Sequence, residues 1–281
     1  MTKSENARLV TLLGTPLSQS FAPKMHNAAY RAMGLDLHYF CTETDESSLA
    51  ETLHTIRRGD FAGFAVTKPL KVAILPHLDA LAPLCRAIGA CNTVVKAADG
   101  RLVGYNTDAV GFSRALTESG FDMRGASIFC IGAGGAGRAI CFSLAADGAA
   151  RIFVTDVVSG RAAALAREIN AYASRDVATA VEAGDFTALE VCGAVINASG
   201  IGMGETQGKS PLPSPKLLRG QFCFDACYNP AHTRFLQDAA AVGCRTMNGL
   251  SMSLHQGAAQ INLWTGREPP MDVMRRAIGL D

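Results

Sequence analysis

The stretch Ser127-Ile128-Phe129-Cys130-Ile131-Gly132-Ala133-Gly134-Gly135-Ala136-Gly137-Arg138-Ala139 decides how this chain is read. Its first part is a short apolar run closed by a glycine, which predicts a buried strand. Directly behind it, Gly132, Gly134 and Gly137 satisfy G-x-G-x-x-G at the start of an alanine-rich helix, the context in which that spacing carries meaning. Gly132 permits the tight turn, Gly134 lets the backbone approach a pyrophosphate, and Gly137 lets the helix pack closely on the strand. Free N–H groups at the helix start face the phosphates, and Ala133, Gly135 and Ala136 are read as cofactor-binding residues of this turn. A flexible strand-to-helix turn is the plainer alternative.

The next strand, Ile152-Phe153-Val154-Thr155, ends in Asp156, where the fingerprint expects the acid that accepts hydrogen bonds from the adenosine ribose. Asp156 also reads as a helix cap or a loop carboxylate. Together, turn and acid point to dinucleotide binding. A carboxylate beside the ribose repels the 2′-phosphate of NADP, and Val157 supplies no cation to receive it, so the expected cofactor is NAD.

Outward from this unit, the helix Gly160 to Ala171 and the apolar strands Ala194 to Asn197 and Phe222 to Asp225 continue a run of βαβ units. Upstream, apolar runs such as Arg8 to Leu13 and Leu37 to Cys41 alternate with helical stretches such as Lys24 to Met33. This predicts an α/β chain with a largely parallel sheet. The character changes near Asn106-Thr107-Asp108. The expected organisation is an N-terminal α/β domain over 1–107, a Rossmann-type doubly wound domain over 108–249, and C-terminal helices over 250–281 that return to the first domain. Apolar residues at helical spacing run from Ser251 to Trp264, with Trp264 read as core, and Pro269-Pro270 forces a break before a last short helix.

At 281 residues the chain is long enough for two compact units. Its 26 Lys and Arg against 25 Asp and Glu leave a net charge of +1, no broad electrostatic handle for nucleic acid or an anionic membrane. The start MTKSENARLVTLLG has no long apolar stretch, and nowhere do about 18 apolar residues run uninterrupted, so a cytoplasmic protein is expected. Nine cysteines scattered through apolar surroundings suit reduced core thiols. Cys223 and Cys227 lack a second ligand pair, so no metal site is read.

Three further motifs carry a resemblance: Gly14-Thr15-Pro16-Leu17-Ser18-Gln19-Ser20-Phe21-Ala22-Pro23-Lys24-Met25-His26-Asn27, Val66-Thr67-Lys68-Pro69-Leu70-Lys71, and Gly89-Ala90-Cys91-Asn92-Thr93 with Asn106-Thr107-Asp108. With Gly249 to Gln256 they make the whole chain resemble the shikimate/quinate dehydrogenases. The resemblance implies a substrate domain from the first and last segments, a cleft that holds the nicotinamide against a ring hydroxyl, and Lys71 with Asp108 as the catalytic pair. Oxidising a secondary alcohol removes a hydride and a proton from one carbinol, so an acid/base group must face the hydroxyl.

By the same resemblance, Ser20, Ala22, Thr67, Asn92, Thr107, Tyr228 and Gln256 stand at substrate positions, and Arg161, Ala198, Ala226 and Gly249 join the cofactor contacts. His26 and His255 are read as structural or cleft-lining. The implied partner is a small cyclic hydroxy acid, bound by a monomer or a homodimer.

The departures matter. Where the family pattern S-x-S-P has a second carboxylate-binding serine, this chain has Ala22; N-V-T becomes Ala65-Val66-Thr67, and N-T-D-G becomes Asn106-Thr107-Asp108-Ala109. A lost hydroxyl donor costs about 1.5–3 kcal/mol, roughly a factor of 10 to 150 in affinity. The alternatives left open are a non-catalytic dinucleotide-binding regulator, against which the retained Lys71 and Asp108 argue, and a dehydrogenase for a divergent substrate.

Overall fold

The computed structural model describes residues 8–18, 20–212 and 216–280. Residues 1–7, at the start of the chain, and Gln19 of the first motif lie outside the described residues. Two compact units divide the chain: Met1–Gly111 with Leu254–Asp281, and Phe112–Ser253. The chain passes from one to the other inside helices, a few residues beyond the junctions expected at 107 and 249.

In the first unit the order is β1 (Arg8–Gly14), α1 (Ala22–Ala32), β2 (Leu37–Glu43), α2 (Leu49–Arg58), β3 (Phe61–Val66), α3 (Leu70–Ala73), β4 (Ala80–Leu81), α4 (Pro83–Ile88), β5 (Thr93–Lys96), β6 (Leu102–Tyr105) and the start of α5 (Asp108–Ser119). The sheet order is β2-β1-β3-β5-β6-β4. Strands β2, β1 and β3 run parallel, whereas β5 is antiparallel to both β3 and β6. The sheet is therefore mixed rather than uniformly parallel, because the short link between Lys96 and Leu102 permits only a hairpin.

That topology collects the motifs. Gly14 and Val66 end parallel strands at one edge, the first residue of β5 pairs with Ala65, and it also faces Tyr105 at the end of β6. The segments that follow Gly14, Val66 and Tyr105, and the segment that leads into Thr93, all meet the sheet at this edge.

The register of β1 on β3 slips by one residue between Leu9 and Val10, and this bulge sets which side chains face which side. Val10, Leu12, Ala62 and Ala65 pack with Met25, Tyr39, Leu254 and Ile261. Leu13, Phe64 and Val66 pack with Leu49, Leu53 and Leu70 on the other face. Trp264 is buried in the first of these layers and donates from Nε1 to Val94 O at 3.0 Å. A Cβ on Gly63 would lie 2.5 Å from that Nε1, so only glycine fits there.

The second unit holds the rest of α5, β7 (Ser127–Ile131), α6 (Gly135–Ala146), β8 (Arg151–Thr155), α7 (Arg161–Ala173), β9 (Ala178–Ala180), β10 (Ala194–Asn197), β11 (Phe222–Asp225), α8 (Arg234–Ala241), β12 (Arg245–Asn248) and the first turn of α9 (Leu250–Thr265). The rest of α9 and α10 (Met271–Ile278) belong to the first unit. The sheet order is β12-β11-β10-β7-β8-β9, with every neighbouring pair parallel. The order reverses between β7 and β10, the switch point at which doubly wound sheets bind ligands beyond the carboxyl ends of their strands. All nine cysteines are free thiols. Among the described residues, no helix is long and apolar enough to cross a membrane.

Candidate active site

In the first unit, β3 ends one residue before Thr67, and the chain turns through Lys68-Pro69 into the short α3 that carries Lys71. The first motif lies against this turn: Thr15 N–H donates to Lys68 O at 3.0 Å, and a Cβ on Gly14, at φ +153°, would sit 2.5 Å from Thr67 Cγ2. Thr67 N–H donates to Leu13 O at 2.8 Å, while Ser20 Oγ accepts from Ala22 N–H at 3.3 Å. Cys91 N–H reaches Lys71 O at 2.7 Å, joining the third motif to α3.

Lys71 Nζ donates to Asp108 Oδ2 at 2.6 Å, with the two side chains 17% and 8% exposed. The other carboxylate oxygen of Asp108 accepts from Asn92 Nδ2 at 2.9 Å. Asn92 Nδ2 also reaches Thr107 Oγ1 at 2.9 Å and Gln256 Oε1 at 3.3 Å, while Asn92 Oδ1 accepts from Thr107 N–H at 2.7 Å. Lys71, Asp108, Asn92, Thr107 and Gln256 thus form one network, and Ser20, Ala22 and Thr67 belong to the same unit. A nearly buried ion pair with a donor on each carboxylate oxygen is held in place, whatever its net contribution to stability.

Of the departures from the family pattern, Ala65 is 2% exposed in the apolar layer of β3, so it is a core residue rather than a gap beside a ligand. Ala109 is buried, and its N–H donates to Asn106 Oδ1 at 3.2 Å, so the missing glycine is accommodated by the helix start. Ala22 is half-buried at the head of α1. Its methyl group offers no hydrogen bond, and this departure alone bears on the site.

The second unit carries the glycine turn. A Cβ on Gly132, at φ +106°, would meet Ala198 C at 2.7 Å, and one on Gly137 would meet Gly132 O at 1.9 Å. A Cβ on Gly134 would meet nothing within 4 Å, and α6 starts there without a side-chain cap. Helix and strand are thus locked together while the turn faces open space with N–H groups at the helix start, a cradle that suits a pyrophosphate. Asp156 accepts from Ala133 N–H at 2.7 Å through one oxygen and from Val158 N–H at 2.8 Å through the other. It therefore ties the glycine turn to the turn after β8 and keeps a lone pair on each oxygen for a ribose hydroxyl. Arg161 stands 3.7 Å from the same carboxylate.

Ala198, Ala226 and Gly249 follow the carboxyl ends of β10, β11 and β12. A Cβ on Gly249 would lie 2.3 Å from Ala226 O, and Ala226 N–H donates to Asn197 O at 2.8 Å. Tyr228, half-buried in the turn after β11, belongs to this unit and not to the one holding Ser20, Thr67 and Asn92.

Sequence reading missed three residues. Asp225 is fully buried, and burial raises its carboxyl above the ordinary range against the pull of its donors. It accepts from Asn197 Nδ2 at 2.9 Å, Cys227 N–H at 2.9 Å and Thr233 Oγ1 at 2.6 Å. Its signal was the one that revealed Asp156, an acid closing an apolar strand. Thr93 and Gln260 complete the network of the first unit, with Gln260 Nε2 donating to Thr93 Oγ1 at 3.0 Å. Gln260 lies four residues after Gln256, on the same helix face.

The chain matches the shikimate dehydrogenase substrate binding domain over residues 12–94 and the shikimate 5'-dehydrogenase C-terminal domain over residues 249–278. Shikimate dehydrogenase (NADP(+)) of Moorella thermoacetica is 42% identical over 275 residues, 96% of this chain and 92% of that protein. Among solved structures, shikimate 5-dehydrogenase from Listeria monocytogenes, in complex with shikimate and NAD, is 34% identical with a TM-score of 0.88, covering 99% of each chain. The ligand-free 5-ketofructose reductase of Gluconobacter sp. strain CHM43 is 33% identical with a TM-score of 0.84, covering 98% of this chain and 99% of its own. With its motifs gathered at one sheet edge and a doubly wound dinucleotide-binding unit beside them in the chain, this protein belongs to the shikimate/quinate dehydrogenase family.

Proposed function

We propose that the chain is an NAD-dependent dehydrogenase that reversibly oxidises a ring hydroxyl of shikimate, quinate or a close cyclic polyol acid, with Lys71 and Asp108 as its acid/base pair. The observation that carries this reading is the nearly buried contact of 2.6 Å between Lys71 Nζ and Asp108 Oδ2. A pure binding protein has no use for such a pair.

When bound, the nicotinamide takes up the hydride lost by the carbinol carbon. Lys71 Nζ, as the amine, accepts the proton from the carbinol oxygen, and as the ammonium it returns that proton in reduction. Asp108 orients Nζ and the hydroxyl. Ser20, Thr67, Asn92, Thr107 and Gln256 supply the short polar groups that a polyhydroxylated ring requires. Tyr228 would stand near the substrate's carboxylate. Gly132 to Ala136 would hold the pyrophosphate and Asp156 the adenosine ribose, with Arg161, Ala198, Ala226 and Gly249 along the remaining cofactor surface.

The preference for NAD rests on Asp156 followed by Val157 and Val158. Arg161, the cation beside them, already faces the Asp156 carboxylate. A 2′-phosphate there meets a fixed negative charge. The Moorella relative is named for NADP(+), and the carboxylate of Asp156 is what supports a different cofactor here.

Ala22 favours a second reading, in which the substrate is a polyol or ketone without a carboxylate at that end. Steady-state kinetics with shikimate and quinate against NAD and NADP, and with 5-ketofructose against the reduced forms NADH and NADPH, separates the readings. Turnover of a ring acid with kcat/KM at least about tenfold higher for NAD, equivalent to about 1.4 kcal/mol, is expected. Preference for NADP overturns the argument from Asp156, and turnover of the neutral ketone alone selects the second reading.

A further inference from the structure

We infer that Gln260 and Thr93 are positioning residues that set which way round the Asn92 carboxamide stands, and through it the geometry of the Lys71–Asp108 pair. This rests on the reading of that pair as the proton-transfer groups.

Asn92 is 2% exposed, and its two polar ends keep different company. Oδ1 accepts from Thr107 N–H at 2.7 Å and from the Thr93 hydroxyl at 2.9 Å. Nδ2 donates to Asp108 Oδ1 at 2.9 Å. A flipped carboxamide would set Oδ1 against the Asp108 carboxylate and Nδ2 against the Thr107 N–H, turning two matched contacts into two of like polarity. One guard against that flip is backbone and cannot turn. Another is the Thr93 hydroxyl, whose single proton can point at Asn92 Oδ1 or at Thr107 Oγ1, 3.1 Å away, while the Thr107 hydroxyl lies farther from that Oδ1, at 3.2 Å.

Gln260 occupies the opposite side of that hydroxyl. Its Nε2 donates to Thr93 Oγ1 at 3.0 Å and to Asn92 O at 3.3 Å, so the hydroxyl is an acceptor towards α9 and its proton is turned away from α9, where Asn92 Oδ1 at 2.9 Å is the nearer acceptor. The donors then run one way: Gln260 to Thr93, Thr93 to Asn92, and Asn92 to Asp108, where the Lys71 ammonium arrives on the other oxygen. Thr93 is 0% and Gln260 3% exposed, so water does not compete for these bonds and each polarises the next.

The test compares Thr93→Val, which keeps the shape and loses the hydroxyl, with Thr93→Ser, which keeps the hydroxyl and loses a methyl group. The holoenzyme is assayed for kcat and for KM of the dinucleotide. Thr93→Val is expected to lower kcat about tenfold with the dinucleotide KM unchanged, and Thr93→Ser to stay within about twofold of wild type. A packing role ranks them the other way, since serine opens the cavity. Should Thr93→Val not fold, Gln260→Leu removes the same directing donor at similar volume and is expected to lower kcat in the same sense. Wild-type kcat in Thr93→Val or Gln260→Leu, in a chain that turns over its ring substrate, overturns this inference alone. A wild-type chain without turnover overturns the functional reading and this inference with it.

Discussion

His26 on α1 is fully buried, its ring stacked on Tyr39 at 4.2 Å and its Nδ1 directed at Ala22 O at 2.8 Å. The carbonyl can only accept, so Nδ1 carries the proton and the ring is neutral. Burial pushes its pKa down to about 4. The unfolded chain takes up a proton near 6.5 while the folded one resists it, so this contribution is complete above 6.5 and is lost as pH falls towards 4. The urea midpoint is expected to drop across that window, by an amount equivalent to up to about 3 kcal/mol, and a His26→Asn chain should show a shallower decline. A midpoint insensitive to His26 between about pH 7 and 4 would remove this assignment. Such a role was only half legible in the sequence, which left His26 as structural or cleft-lining. Lys71, Asp108 and Asn92 were readable because each sits in a short motif. Gln260 was not, because its partners Asn92 and Thr93 lie far away in the chain; Thr93 and Asp225 each sat in a readable stretch, but their hydrogen-bond roles show only once the chain is folded.

Between residues and the whole lie the turns after β10 and β11, both anchored on Asp225. Removing its carboxylate in Asp225→Ala takes one of two acceptors from Asn197 Nδ2, which keeps Ile201 O, takes the Oδ1 acceptor from Cys227 N–H, and loosens Thr233, whose hydroxyl also receives Leu236 N–H at the start of α8. The expected cost is about 2–4 kcal/mol in urea unfolding, with a raised KM for the dinucleotide because Ala226, read as a cofactor contact, follows directly. A stable variant with unchanged KM would remove Asp225 from this role. At this scale the central strands were plain, since β7, β8, β10 and β11 are apolar runs that fit buried parallel strands. Edge strands were not: β9 is three residues long, and in β12 the residues Arg245-Thr246-Met247-Asn248 lie half in solvent, so neither carries an apolar run.

For the whole molecule, strand direction in the first unit escaped sequence reading because apolar runs look alike whichever way they run, and only the brevity of the link from β5 to β6 separates a hairpin from a crossover. The division into units was blurred for a similar reason: α5 and α9 each begin in one unit and continue into the other, and a helical pattern carries no mark where it changes surroundings. The family was legible throughout, since its motifs are distributed over the full length. In the proposed function the two units divide the work, proton transfer on Lys71 in one and dinucleotide binding on the glycine turn in the other. They should therefore be separable by mutation. The most direct test is kcat for ring-hydroxyl oxidation with NAD, alongside calorimetric NAD affinity, in wild type and Lys71→Ala. A loss in kcat of at least about a hundredfold with unchanged NAD affinity is expected; turnover by Lys71→Ala at the wild-type rate would rule out Lys71 as the proton-transfer group.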